Sequence, residues 1–342
     1  MSQVYLITGG AGFIGSNFVD YIYNKYPDSK IIVLDLLTYA GNIEYLPEKQ
    51  NCDRFEFWYG DIKNTSLVES LVSQSDYVIH FAAETHVTRS ISDNKNFFET
   101  DVLGTQVISN AVLKYMTKVK KFIHVSTSEV YGNAQEATMD ENHPLNPTSP
   151  YAAAKAGADR LVYSYFITYN IPAVIVRPFN NYGPRQHLEK LIPRFISNIL
   201  IADPLCIHGN GEASRDWVYV EDTCRAIDMI LTAPLEDVQG EVFNIATGKS
   251  YSILEIADEL LTIMKPEKLN KKFDTDRPGQ VHRHTGDYKK IRELLGWEPE
   301  IDFEQGLIKT VSWFKENQTL WEKQMWLKDI PITLPNGQKI VH

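Results

Sequence analysis

Tyr151 and Lys155 stand four residues apart, Y-x-x-x-K, directly after P-T-S-P. On a helix that spacing puts both side chains on one face. An ammonium held beside a phenol favours the phenolate and lowers the tyrosine pKa. The result is a base for a substrate hydroxyl near neutral pH. Alone the pattern is a common solvated helix pair. Upstream, however, S-T-S-E closes an apolar run. Thr127, Ser128 and Glu129 are thereby expected at the carboxyl edge of a sheet, where α/β sites form. Cys52, Cys206 and Cys224 are scattered, with no C-x-x-C pair. Neither a disulfide framework nor a zinc site is expected, and no His/Cys/Asp cluster has the spacing of a metal site.

A second constellation opens the chain. T-G-G-A-G-F-I-G-S follows an apolar run and leads into a helical pattern. Gly10, Gly12 and Gly15 fit G-x-G-x-x-G, and Gly9 adds a second spacing, with Phe13 and Ile14 inside the motif. Such glycines permit a tight turn and close approach of a pyrophosphate, and the helix N-terminus offers free N–H groups. Asp35 lies 20 residues past Gly15, where a carboxylate hydrogen-bonds a ribose 2′-hydroxyl. It would repel a 2′-phosphate, and Leu36 and Leu37 follow it rather than an arginine, so NAD is expected over NADP. Asp61 and Ile62 could face the adenine. Phe81, Ala82 and Ala83 are small and apolar on average, as suits a chain passing close to a cofactor. Taken alone, each of these spots is more readily a strand-end packing position; with the glycine loop in place the two readings stand even.

The elements that must carry these residues alternate. Apolar runs at 4–8, 30–35, 54–59, 77–82, 121–126 and 173–177 read as buried strands. Helical spacing appears at 13–25, 66–72, 96–116 and 151–169. Short strands separated by helices imply a parallel sheet covered on both faces. The fold expected is α/β, a Rossmann-type doubly wound parallel sheet over residues 1–178, with a smaller C-terminal substrate-binding domain over 179–342. Segment 215–247 is expected to return to the first domain. The end, I-P-I-T-L-P-N-G-Q-K-I-V-H, suggests a hairpin around Asn-Gly.

A net charge of −10 without a basic tract argues against nucleic acid. No apolar run approaches the length of about 20 residues that a membrane span needs. The N-terminus lacks the basic and apolar regions of a signal peptide. A cytoplasmic location is expected.

These strings resemble the extended short-chain dehydrogenase/reductase family. L-L-T-Y-A-G-N, A-A-E-T-H-V-T-R-S-I, N-N-Y-G-P, E-K-L-I-P, R-D-W-V-Y-V-E-D and D-R-P-G are similar, more closely, to the dTDP-glucose 4,6-dehydratases, over residues 3 to about 315. The resemblance implies a nucleotide diphosphate sugar as substrate and tightly bound NAD. It implies that Tyr151 takes the C4 hydroxyl proton, that Lys155 holds the nicotinamide ribose, and that Thr127 bonds the C4 oxygen. Glu129 would remove the C5 proton as the C6 hydroxyl leaves as water. Asn180, Lys190, Leu191, Arg215, Asn244 and Arg277 would face the nucleotide diphosphate and base. Thr85, His86 and Arg89 could touch the hexose, although a lone loop histidine is more often structural, and any single arginine more often a surface ion pair. The family commonly dimerises through two helices per subunit; 96–116 and 151–169 are the candidates for a homodimer.

Two positions depart from the dehydratases. Ser128 stands where an aspartate usually acts as acid toward the leaving hydroxyl, and Gln280 where a histidine is usual. A serine is a poor proton donor but could relay or position water. Ser-Glu after threonine also occurs in UDP-glucuronate decarboxylases; that reading needs cationic or hydroxyl donors around a C6 carboxylate, and Arg185 and Ser128 are the candidates. A 4-epimerase and a non-catalytic NAD-binding scaffold are the other readings. The overall strings favour dehydration, on an acetamido sugar or with an unsaturated product among the variants.

Overall fold

The six apolar runs of the first half become six strands: β1 (Val4–Thr8), β2 (Lys30–Asp35), β3 (Phe55–Tyr59), β4 (Tyr77–His80), β5 (Lys121–Val125) and β6 (Ala173–Pro178). Shorter strands follow: β7 (Asn180–Tyr182), β8 (Leu205–His208), β9 (Ser214–Tyr219), β10 (Val242–Ile245), β11 (Ser250–Ser252), β12 (Lys271–Asp274), β13 (Arg283–His284), β14 (Pro331–Thr333) and β15 (Lys339–Val341). This computed structural model describes residues 3–48, 51–267, 271–274 and 282–328, and the backbone of 331–333 and 339–341.

The main sheet has seven strands in the order β10-β6-β5-β4-β1-β2-β3, and every pairing in it is parallel. Its residues alternate between two apolar layers. Tyr5, Ile7, Ile31 and Val33 pack on one face, and Leu6, Ile32 and Leu34 on the other. That is the period of two in a strand buried on both sides. The chain runs outward from β1 to β2 and β3 on one side, and from β4 to β5 and β6 on the other. The order therefore reverses between β1 and β4, which opens a crevice at their carboxyl ends.

Of the stretch 215–247, expected to return to the first sheet, the end does so as its edge strand β10, paired to β6, while its start lies in β9, outside that sheet. The helix Val220–Thr232 before it is tied to the first helix: Lys25 Nζ and Tyr26 Oη both donate to the Asp228 carboxylate. β9 is the centre of a smaller sheet with β11, β13 and β7. A third apolar layer, including Tyr182, Phe195, Trp217, Leu260 and Phe314, packs there. β14 and β15 pair antiparallel at the end of the chain. Among the described residues, no helix is long and apolar enough to cross a membrane.

One expected helix, 96–116, is not uniform. A short α-turn, Lys95–Phe97, leads into a π-helix, Phe98–Gly104, before the α-helix Thr105–Lys114. Here the Thr105 hydroxyl donates to the Asp101 carbonyl at 2.5 Å. Asp101 is 1% exposed, and one carboxylate oxygen accepts the Glu84 N–H at 2.7 Å. The widened turn is a feature common at functional sites, and a periodicity count cannot see it.

The helix Pro150–Tyr169 is capped by Ser149 and carries proline in its first turn. Its buried Asp159 receives Arg177 of β6 through two bonds, 2.8 and 2.9 Å. Arg177 also donates to Tyr131 Oη at 3.0 Å. This cluster pins to the sheet the helix that presents Tyr151 and Lys155. Burial alone would raise the Asp159 pKa, but the guanidinium groups of Arg177 and Arg160 overcome it and hold the carboxyl below its usual range. A depressed folded-state pKa contributes stability that is present above the unfolded value and lost as pH falls through the folded one. Asp159→Asn strands a buried guanidinium and should cost about 3–5 kcal/mol. Urea unfolding at neutral pH measures it, and the deficit relative to the parent should shrink in strong acid.

Candidate active site

One cleft of about 480 Å³ follows the carboxyl edge of the sheet from the glycine loop to β9. At its first end lie Gly9, Gly12, Phe13, Ile14, Gly15, Asp35, Asp61, Ile62, Ala82 and Ala83, all of which line it. β4 ends at His80, earlier than expected, so Phe81 and Ala82 leave the sheet beside the loop. Gly9 has φ +71°, and a Cβ there would lie 2.5 Å from the Ala82 nitrogen. Only glycine allows that turn and that approach together. Gly12 is open on its other side, a Cβ meeting nothing but the Gly9 carbonyl at 3.3 Å. The Asp35 carboxylate, buried at the rim, accepts Ala11 N–H at 2.9 Å and Leu37 N–H at 2.8 Å. Each oxygen keeps a lone pair for a hydroxyl. A bare-backbone cradle at a helix start, closed by an acceptor at the second strand, fits a dinucleotide with a free 2′-hydroxyl.

At mid-cleft, Thr127, Glu129, Tyr151 and Lys155 line one wall. The Thr127 Oγ1 accepts the Glu129 N–H at 3.2 Å, starting the turn Ser128–Tyr131. Its hydroxyl hydrogen-bonds the Tyr151 phenol. The Lys155 ammonium donates to the Val125 carbonyl at 2.8 Å. The expected lowering of the Tyr151 pKa by Lys155 is therefore not found in the chain by itself. Burial, with Asp101 and Glu129 adding, pushes the phenol up, and the Thr127 bond opposes this only in part. Lys155 is itself pushed down by burial, against Asp101 and Asp159, which favour its charge. Asp101 is raised to about 7 by burial, with Lys155 opposing, and among the described residues its second oxygen has no hydrogen-bond partner.

The far end is lined by Thr85, His86, Asn180, Lys190, Leu191 and Arg215. Lys190 Nζ donates to the Thr85 carbonyl at 3.0 Å. Arg215 donates to the Ser214 carbonyl at 2.9 Å. Desolvation lowers its pKa while the Glu129 charge opposes, so a half-buried cation here is suited to an anionic ligand.

Four expected residues stand elsewhere. Ser128 is 1% exposed and does not line the cleft, because the turn that starts at Thr127 directs Glu129 inward and Ser128 into the protein. Asn244 is fully buried and saturated: its amide donates to the Met139 and Asp287 carbonyls, and its oxygen accepts Tyr131 Oη at 2.7 Å. It holds β10 in place and touches no part of the cleft. Arg89 is drawn off to Glu189 at 3.0 Å and stacks on Tyr39. Arg277 lies outside the described residues, as does Gln280. Arg185 donates to the Asp20 carboxylate and to the Ser16 carbonyl, so neither candidate donor for a C6 carboxylate lines the cleft.

Other wall residues are not singled out by type or spacing, although Glu84, Glu189 and Trp217 lie inside the strings quoted above. Glu189 adjoins the quoted Lys190, but its role as hub for Tyr39, Arg89 and the His86 and His187 rings is set by folding. Glu84, Trp217 and Tyr251 also line the cleft. Among the described residues, no group of three His, Cys, Asp or Glu could hold a metal ion.

A parallel sheet with this strand order, a glycine cradle at its switch point and Tyr151 and Lys155 on the flanking helix define an extended short-chain dehydrogenase/reductase. The chain belongs to the GDP-mannose 4,6 dehydratase family, whose profile matches residues 6–310. It is 41% identical over 321 residues to a dTDP-glucose 4,6-dehydratase of Actinoplanes sp., covering 92% of this chain and 99% of that one. In structure it is similar to the dTDP-glucose 4,6-dehydratase DesIV of Streptomyces venezuelae, solved with NAD bound, with a TM-score of 0.88 and 40% identity over 94% of this chain and 100% of that one. It is also similar to a UDP-glucose 4-epimerase of Thermotoga maritima, with a TM-score of 0.85 and 31% identity over 92% of this chain and 100% of that one.

Proposed function

We propose that the chain is an NAD-dependent nucleotide-sugar 4,6-dehydratase, a hydro-lyase. The observation that carries this is Glu129: a carboxylate on the same cleft wall as Thr127, Tyr151 and Lys155. A 4-epimerase has no use for a base at C5; an elimination requires one. The glycine cradle and Asp35 hold the dinucleotide, and Lys155 holds its nicotinamide ribose. NAD, when bound, accepts the C4 hydride and later returns it to C6. Tyr151 takes the C4 hydroxyl proton, and Thr127 holds that oxygen in place. The new 4-ketone acidifies the C5 hydrogen, Glu129 removes it, and the C6 hydroxyl departs as water. Arg215, Lys190 and Asn180 bind the diphosphate end. Thr85 and His86 flank the hexose. With Ser128 buried, Glu129 itself hands the proton to the leaving hydroxyl.

The enzyme works in the cytoplasm as a homodimer. Supporting the dimer, Phe98, Leu103, Tyr163, Ile167 and Tyr169 are exposed on the two helical segments proposed to pair, more apolar surface than isolated side chains need. The reaction is tested by incubation with dTDP-glucose, GDP-mannose, UDP-glucose, UDP-glucuronate and UDP-N-acetylglucosamine, followed by mass spectrometry. The expected product has lost one water. Loss of carbon dioxide, or an unchanged mass with inverted C4, would overturn the assignment.

A further inference from the structure

We infer that His284 is a positioning residue for Glu129, accepting at Nδ1 a hydrogen bond from the Glu129 carboxyl once that carboxyl has taken the substrate proton. The inference rests on reading Glu129 as the C5 base. The two residues are far apart in the chain. β13 pairs parallel to β9, with His284 opposite Arg215, and this brings the ring under the turn Ser128–Tyr131.

His284 is fully buried, and its Nε2 faces the Gly132 carbonyl. A carbonyl only accepts, so Nε2 carries the hydrogen and Nδ1 is a bare lone pair. The position of that carbonyl is set by its own residue. Gly132 has φ +71°, and a Cβ there would lie 1.9 Å from the Asn146 carbonyl oxygen. Nδ1 has no hydrogen-bond partner among the described residues. Glu129 Oε1 stands 4.0 Å away. A buried acceptor without a donor is costly, and here it faces a second acceptor, the carboxylate. One proton on Glu129 resolves both, after a side-chain rotation that closes about 1 Å.

The other ionisable groups agree with a neutral ring. Burial, with Arg215 of β9 and His143 adding, pushes the His284 pKa down; Glu129 and the Gly132 bond oppose. Tyr151, from the long helix, also faces Glu129. His284 thus takes no proton of its own. It holds in place the proton that Glu129 has taken. The proton count closes. The C5 hydrogen passes to Glu129, and the C–H electron pair enters the enolate of the 4-ketone. As the C6–O bond breaks, Glu129 returns the proton to the leaving hydroxyl as water.

His284→Phe tests this, since the ring volume is kept while the Nδ1 acceptor is gone. With dTDP-glucose and the holoenzyme, bound NADH should form at the parental rate, while elimination slows about tenfold, the weight of one hydrogen bond. Nitrogen NMR of histidine-labelled protein without substrate gives a second readout. The parent should show the Nε2–H tautomer, and Glu129→Gln, whose amide can donate, should shift Nδ1 toward the hydrogen-bonded range. Unslowed elimination in the His284 variant, or a proton on Nδ1 in the parent, would overturn the inference. If Glu129→Gln itself still eliminates water, the assignment of the base has failed instead.

Discussion

Tyr151→Phe is expected to slow the first hydride transfer by about 10²–10⁴-fold, the usual weight of a positioned acid–base group. Stopped-flow absorbance of bound NADH after mixing with substrate measures it. The substitution is conservative for the fold. The ring keeps its edge contact with Phe97, at 6.2 Å between centroids, and the hydroxyl is not part of the Arg177–Asp159 anchor. NAD content should therefore stay unchanged, since the glycine loop, Asp35 and Lys155 remain. The parent has a further signature. Burial and the neighbouring acids push the phenol above its ordinary value, so the phenolate is scarce and its fraction grows with pH. The parental first step should accelerate as pH rises through the neutral range, and the phenylalanine variant should lose that dependence. Normal NADH formation in Tyr151→Phe would show that another group takes the C4 proton.

Glu129→Gln separates the two halves of the reaction. The amide keeps the length of the side chain and leaves the Thr127 bond to the backbone N–H intact. It removes the carboxylate that would take the C5 proton. Bound NADH should appear and persist, with loss of water slowed about 10²–10⁴-fold. The signal is a stalled reduced cofactor, which neither a folding defect nor poor substrate binding would produce. Arg215 loses the Glu129 charge that favours its ionised form, so a small fall in Tm should accompany the change. If this variant turns over fully and returns a sugar of unchanged mass, the chain is a 4-epimerase.

Much of the fold and of the cofactor end was legible in the residues, because both depend on contiguous chain. A strand, a glycine turn and a helix start form within about a dozen residues, and Asp35 ends the next strand. The Y-x-x-x-K pair needs only one helix, and Thr127 and Glu129 only the end of one strand. Each can be read from spacing because local backbone geometry decides it. Asn244, Arg89 and Ser128 could not be read in that way. Whether a polar side chain faces a cleft or a buried partner depends on what the rest of the chain brings near it. Asn244 is consumed by Tyr131, Met139 and Asp287, and Arg89 by Glu189.

By itself, then, the sequence determined the doubly wound sheet, the glycine cradle and the residue types that meet at mid-cleft. Tertiary structure alone decided three other things: the inward turn of Asp101 on a π-helix, the burial of Ser128 beneath its own turn, and the meeting of His284 with Glu129. The reason is that protonation and hydrogen bonding respond to distance and burial, and those follow from pairings between strands such as β9 and β13 that leave no mark in local spacing.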